Sequence, residues 1–498
     1  MNITVLEILA LPENRFSHLF YHLLLTKQFA SIMPQVVSVW CRRLGHQVNY
    51  VTYYGIGDPL NAIPVDTDWV FISCYTQVSP LAYALAKILR IRGTITVLGG
   101  PHAKSFPVDA LRFFDYVVKE CNQQLISSLL NLDFPPKSIL NSPPFKTVPS
   151  VQERLPEIEI ASLFFRRFKS PTTTISLLSS LGCPYTCDFC IDWNSKYRML
   201  PRDHLIRDLQ FIHQHFSRTL IAFQDPNFGI RFDDTLSALE TQKTNQCLPY
   251  VMESSLSVLK PERMSRLKTT NCVFVAPGIE SWTDYSNKSS GGAKSGIVKV
   301  EKVVSQFQEL HQHVSNLQAN FIFGLDIDAG REPVELTKLF MDQVPFVWPT
   351  MNIPIPFGGT PMFVESKKNN RILEEMPFRF YYAPYSVMKT RNYDPRTYYR
   401  LLIELMNHGS STAILRRRMK TRKTRTEKVI DFARARSQQV EIQYYRKILT
   451  ALETDKELYN FHQNGGTKLP AFYQNEYRKK LGRYSYQLTS DDRRPVLE

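Results

Sequence analysis

The chain has 498 residues, 43% of them apolar, and a formal net charge of +15 at pH 7. At about 100–200 residues per domain this length allows two to four domains, and the apolar content excludes global disorder. No uncharged apolar run approaches the roughly 18 residues of a membrane-spanning helix. The start, MNITVLEILALPENRFSHLF, lacks a basic stretch followed by a long apolar core and a small-residue cleavage site. It reads as a first β-strand and not as a signal peptide, so a cytoplasmic location is expected. Cys41, Cys74, Cys121, Cys247 and Cys272 are scattered, which is no disulfide framework.

The first 130 or so residues alternate strand-like apolar runs with helical patterns, the signature of a parallel α/β sheet. The strand candidates are ITVLEIL, QVNYVTYY, WVFISCY, TITVLGG and YVVKE. The helical pattern PLAYALAKILRIRG closes on Gly93, a C-cap residue. Open parallel sheets bind ligands beyond the carboxyl ends of their strands, and VLGGPHAKSFP lies at such an end. Gly99 and Gly100 would let a ligand approach the backbone, although a tight turn needing glycine is the plainer reading. A proline-rich stretch, NLDFPPKSILNSPPFKTVPS, reads as a linker and sets a domain boundary across residues 131–165.

Strand and helix alternate again over residues 166–365. The strands TTTISLLSS, LIAFQDP, YVMESSLSV, CVFVAPGIES, ANFIFGLDID and TMNIPIPF predict six βα-type units, a partial (β/α)6 barrel of the TIM type. In such barrels the chemistry sits at the C-terminal strand ends. SLGCPYTCDFCIDW follows the first of these strands and places Cys183, Cys187 and Cys190 within eight residues. A structural zinc site takes four ligands, usually as two separated pairs, and no second pair is present. Iron–sulfur ligation fits better: three thiolates on one short loop would wrap a cubane cluster and leave one iron for a substrate or cofactor. Phe189 would shield that cluster or stack on an adenine.

Cys183, Cys187, Phe189 and Cys190 resemble the CxxxCxΦC signature of radical S-adenosylmethionine (SAM) enzymes. FQDPNFG, PGIES, FIFGLD and IPIPFGGTP resemble, in order, segments of the subgroup with a cobalamin-binding-like domain ahead of the barrel, and VLGGPHAKSFP resembles the end of that N-terminal domain. The resemblance covers roughly residues 1–365. It implies an N-terminal Rossmann-like domain over 1–130, the linker over 131–165 and a radical SAM core over 166–365, whereas the mainly helical region over 366–498, a candidate substrate cap, lies beyond it. It also implies a 4Fe–4S cluster on Cys183, Cys187 and Cys190, reductive SAM cleavage to a 5′-deoxyadenosyl radical, and an electron donor such as flavodoxin or ferredoxin. Gln224, Asp225 and Asn227 would contact the methionine part of SAM, and Glu280 and Ser281 its ribose or methionine end. For each of these a turn or capping role stays open.

The sequence departs from the subgroup in two places. The DxHxxG motif of a cobalt-ligating histidine is absent, with His18 and His22 out of frame. ECNQQ stands where relatives often read GEGE. Cobalamin therefore stays open, and His102 reads as structural.

The last 130 or so residues read as helical, basic and tyrosine-rich, either a cap over the mouth or a packed core. The run RRRMKTRKTRTEK, Arg416–Lys428, reads as a solvated face and not as a nucleic-acid interface. A small-molecule radical SAM enzyme, for example a methyltransferase, ranks first. A transfer-RNA-modifying enzyme with a second cluster on Cys41, Cys74 and Cys121 ranks second. A non-catalytic iron–sulfur protein ranks third.

Overall fold

The computed structural model describes residues 1–13, 30–162, 173–216, 219–242, 247–283 and 295–498. His18 and His22 lie outside them.

The first sheet contains β1 (Asn2–Ile8), β2 (Gln47–Tyr53), β3 (Trp69–Cys74), β4 (Ile95–Gly99), β5 (Tyr116–Val118) and β6 (Ser138–Leu140). Its order is β2-β1-β3-β4-β5-β6, and every pairing is parallel. The apolar run of β1 follows from burial on both faces. Ile3 and Val5 join one hydrophobic cluster with the helix Ile32–Arg43, and Leu6 and Ile8 join the other with the helix Ser79–Ile91. Gly93 ends the latter helix at φ +83°, as a C-cap glycine does. Strand order reverses between β1 and β3, so a crevice opens there beyond the strand ends. Three residues of the stretch read as a linker form β6, the edge strand.

The second sheet runs in chain order: β7 (Thr173–Leu177), β10 (Thr219–Phe223), β11 (Tyr250–Ser255), β12 (Cys272–Glu280), β13 (Asn316–Ile322) and β14 (Val347–Asn352). All its pairings are parallel. The short strands β8 (Ser180–Leu181) and β9 (Arg198–Met199) pair antiparallel outside it. Helices between the strands cover it, including Arg202–His215, Ile297–His311 and Glu332–Gln343.

The C-terminal region is helical from Pro395, with a 30-residue helix Arg425–Thr454 opened by a Thr424/Glu427 capping box. It packs onto the second sheet. The Tyr398 hydroxyl donates to the Phe323 carbonyl at 2.7 Å, and its ring stacks on Phe323. Gly324, at φ +97°, makes room: a Cβ there would strike the Tyr398 ring. The basic run is not a purely solvated face. Arg418 is buried, lies 3.7 Å over the Trp348 ring and donates to the Pro345 and Val347 carbonyls. Arg422 is buried against Asp431. These two arginines hold the region to β14. No helix among the described residues is long and apolar enough to cross a membrane.

Candidate functional site

The cysteine loop leaves β7 and is closed at its base. Ser180 pairs with Met199 and Leu181 with Arg198. Gly182 then turns at φ +67°, and a Cβ there would collide with the Lys196 carbonyl. The neighbouring Cys183 N–H donates to the Ser195 carbonyl at 3.1 Å. Within the loop the Cys190 N–H donates to the Cys187 carbonyl and the Trp193 N–H to the Cys190 carbonyl, each at 3.1 Å. All three thiols are half-buried.

Donors point at two of the sulfurs. The Asp192 N–H lies 3.4 Å from Cys190 Sγ, and Asn227 Nδ2 lies 3.9 Å from Cys183 Sγ. Hydrogen bonds to sulfur tune an iron–sulfur centre, so this donor set fits a cluster. Among the described residues no group of three His, Cys, Asp or Glu would hold a single metal ion.

The partners expected from the strand ends divide by position. Asp225 is buried and accepts from Ser179 N, Ser179 Oγ (2.5 Å) and Ser180 Oγ (2.6 Å). It fastens the start of the cysteine loop, and burial raises its pKa. Gln224 turns the other way. Its Oε1 accepts from Ile32 N at 3.0 Å, and its Nε2 donates to the Ala30 carbonyl and Ser176 Oγ, tying the second sheet to the first unit. Asn227 donates to Ser255 as well as toward Cys183, and its buried Oδ1 has no partner. Ser281 is buried in a network with Asp328 and Thr283, its carbonyl accepting from Lys299. Asp328 in that network is raised to about 6 by burial.

Glu280 and Phe189 do reach a common cavity of about 560 Å³. Glu280 holds φ +63° at a register shift in the pairing of β12 with β13, a strained conformation of the kind that collects at functional sites. Its carboxylate occupies the space that a Cβ on Gly278 would need. The cavity also takes Glu253, Gln318, Asn320, Thr350 and Asn352, which the sequence reading did not single out. Their signal was available: Gln318 and Asn320, and Thr350 and Asn352, are polar residues spaced by two along apolar strands and so face one side. Gln77 from the first unit and Tyr381 and Tyr382 from the C-terminal region complete the wall.

A second cavity, about 370 Å³, opens where the strand order of the first sheet reverses. Gly99, Gly100, Phe71, Val97 and Val118 line it from that sheet, and Leu178, Gln224, Ile191 and Asp192 from the second sheet and cysteine loop. Gly100 is required: it sits at φ +86°, and a Cβ would stand 2.7 Å from Ser73 Oγ. Gly99 has no such close approach. No histidine is among the described residues lining this cavity. His102 is buried elsewhere, 2.5 Å from the Tyr83 hydroxyl, and burial lowers its pKa to about 3. Its structural reading fits that setting.

Cys41 and Cys74 are buried in separate hydrophobic clusters. Burial pushes the Cys41 and Cys121 thiols up to about 12. The structure thus does not bring Cys41 and Cys74 together, as a second cluster on Cys41, Cys74 and Cys121 would need.

A three-thiol loop at the C-terminal end of a parallel sheet, facing a polar cavity and flanked by a second cavity at a strand-order switch, is the arrangement that the resemblance to radical SAM enzymes implies. The comparisons agree. The chain is 26% identical over 344 residues to bacteriochlorophyllide d C-8(2)-methyltransferase of Chlorobaculum tepidum, covering 66% of this chain and 75% of that protein. It is 24% identical over 314 residues to the C-12(1)-methyltransferase of the same organism, covering 61% and 67%. It is 25% identical over 299 residues to the hopanoid C-2 methylase of Rhodopseudomonas palustris, covering 56% and 53%. Among solved structures it resembles the radical SAM methyltransferase TsrM of Kitasatospora setae, with cobalamin and a 4Fe–4S cluster bound, at a TM-score of 0.50 and 13% identity, over 74% of this chain and 78% of that one. With tryptophan and a SAM analogue bound, TsrM gives a TM-score of 0.52. No protein-family model matches. The resemblance to radical SAM enzymes is borne out, and with it the expectation of an enzyme of that kind.

Proposed function

We propose that the chain is a cobalamin-dependent radical SAM C-methyltransferase acting on a small molecule. The observation that carries this reading is the cysteine loop, with N–H donors aimed at its sulfurs, standing between the polar cavity and the apolar one. Bound at these places, a 4Fe–4S cluster with SAM would supply reductive C–S cleavage and a carbon-centred radical, and cobalamin would supply the methyl carrier. Cys183, Cys187 and Cys190 would hold the cluster, with Asn227 and the Asp192 N–H steadying the Cys183 and Cys190 sulfurs. Asp225 positions the loop. Glu253, Glu280, Gln318, Asn320, Thr350 and Asn352 orient SAM and substrate. Phe189 shields the thiol side, and Tyr381 and Tyr382 exclude water from above. Gly99 and Gly100 form the floor of the cobalamin cavity, whose described lining offers cobalt no imidazole.

The division into a cobalamin-binding-like unit, a partial barrel and a helical cap belongs to this reading, with Ser138–Leu140 counted to the first unit. So does an external one-electron donor such as flavodoxin or ferredoxin. The names of the relatives support methyl transfer to carbon. The test is anaerobic reconstitution with iron, sulfide and cobalamin, followed by reduction with SAM. Cobalamin bound without an imidazole ligand in the visible spectrum, and both S-adenosylhomocysteine and 5′-deoxyadenosine among the products on turnover, is the expected result. S-adenosylhomocysteine alone under every condition contradicts it.

A further inference from the structure

A third cavity of about 380 Å³ adjoins the polar one and shares Gln77, Tyr382 and Ala383 with it. Leu9, Leu11, Val78, Pro384 and Tyr385 give it an apolar lining. Arg379 stands in this wall, only 4% exposed. A buried guanidinium calls for a carboxylate or, as at Arg418, for backbone carbonyls. Among the described residues Arg379 has none. Its hydrogen bond goes from Nη2 to the Tyr382 hydroxyl at 2.9 Å, its Cζ lies 4.7 Å from the centre of that ring, and its buried Nε has no acceptor.

The other charges around the cavity do not answer it. Glu13 lies 3.5 Å from Lys480 and is paired there. Glu441 lines the cavity as well, but no ion pair joins it to Arg379. Among the described residues Arg379 is thus left without an ion-pair partner, in a cavity that adjoins the proposed reaction cavity.

We infer that the substrate is an extended apolar molecule carrying a carboxylate, which Arg379 binds in this bay while the carbon to be modified lies in the adjoining polar cavity. The guanidinium fork suits a carboxylate in two-point contact, and the apolar walls strengthen that contact by excluding water. Arg379 is then a specificity-determining residue of the proposed methyl transfer, and the inference rests on that reading.

The experiment uses the full chain without reductant and two probes of one shape, naphthalene-2-carboxylate and naphthalene-2-carboxamide, titrated by ligand-observed NMR. The acid is expected to bind about tenfold more tightly than the amide. Arg379→Met is expected to abolish that preference while amide binding stays, and Arg379→Lys to retain part of it. Thermal midpoints of both variants show whether they fold. If Arg379→Met does not fold, Arg379→Lys decides through its reduced preference. Equal binding of acid and amide by the wild type, or an undiminished preference in the variants, overturns the inference. Reductive SAM cleavage by the wild type is measured separately. Cleavage with no acid preference overturns this inference alone. An Arg379-dependent preference without cleavage overturns the reaction class and upholds the carboxylate site.

Discussion

Asp225 accepts from three donors on Ser179 and Ser180 while buried at the end of β10. In Asp225→Ala those donors lose their acceptor, at about 1–3 kcal/mol each for a buried group. The variant is expected to melt several degrees lower and to retain less iron after reconstitution, with Asp225→Asn falling between it and the wild type. Wild-type iron content in Asp225→Ala would show that the loop does not depend on this carboxylate. Glu7 gives a second prediction. Burial at β1 raises its pKa from 4.5 to about 7, although Ser31 N donates to it at 2.8 Å. The folded state therefore holds a proton that the unfolded state has released. Its stabilising contribution is full below pH 4.5 and is lost as pH rises through about 7. Glu7→Gln removes this dependence, so the variant should gain on the wild type by about 3 kcal/mol between pH 4 and pH 8. Thermal midpoints at both pH values check it, and a constant difference would contradict it. The sequence made the three thiols legible because spacing alone restricts what they do. It did not separate Asp225, which fastens the loop, from Glu280, which faces the cavity. Both end a strand in a polar motif, and only the direction of the side chain distinguishes them.

At the scale of elements, the cysteine loop keeps its shape through the β8–β9 pairing and the turn at Gly182. Gly182→Ala must place a Cβ against the Lys196 carbonyl in a backbone conformation that alanine resists. Loss of most of the reconstituted iron is expected, read as iron per chain. A full complement would show that the loop can open around the new methyl group. The long apolar strands of both sheets were legible from their runs, and the C-cap of Ser79–Ile91 from Gly93. The edge strand β6 was not: Ser138–Leu140 is three residues among prolines, and its pairing with β5 is decided by tertiary contact. Gln318, Asn320, Thr350 and Asn352 were visible as an alternation along β13 and β14, but apolar neighbours directed attention to the strands as core.

At the scale of the molecule, the three segments meet around the cavities. Gln224 bonds the second sheet to Ala30 and Ile32 of the first unit, and Tyr381 and Tyr382 bring the C-terminal region to the polar cavity. Residues of the C-terminal region both line the cavity and fill the core. Tyr382 walls the cavity, whereas Tyr398, Tyr399, Tyr445 and Tyr473 are buried beneath it. Helical periodicity could not separate these roles, because a tyrosine facing a cavity and one facing a core follow the same spacing. The basic run likewise mixes exposed residues with Arg418 and Arg422, whose burial depends on Trp348, far off in sequence, and on Asp431, nine residues beyond Arg422. The central claim is that the three thiols of one loop support reductive cleavage of SAM. Its most direct test is 5′-deoxyadenosine, quantified by mass spectrometry after dithionite reduction of reconstituted protein with SAM. Formation by the wild type and its loss in the Cys183→Ala, Cys187→Ala and Cys190→Ala variants is the predicted result. Absence of 5′-deoxyadenosine from the wild type, or its persistence in all three variants, would contradict the account.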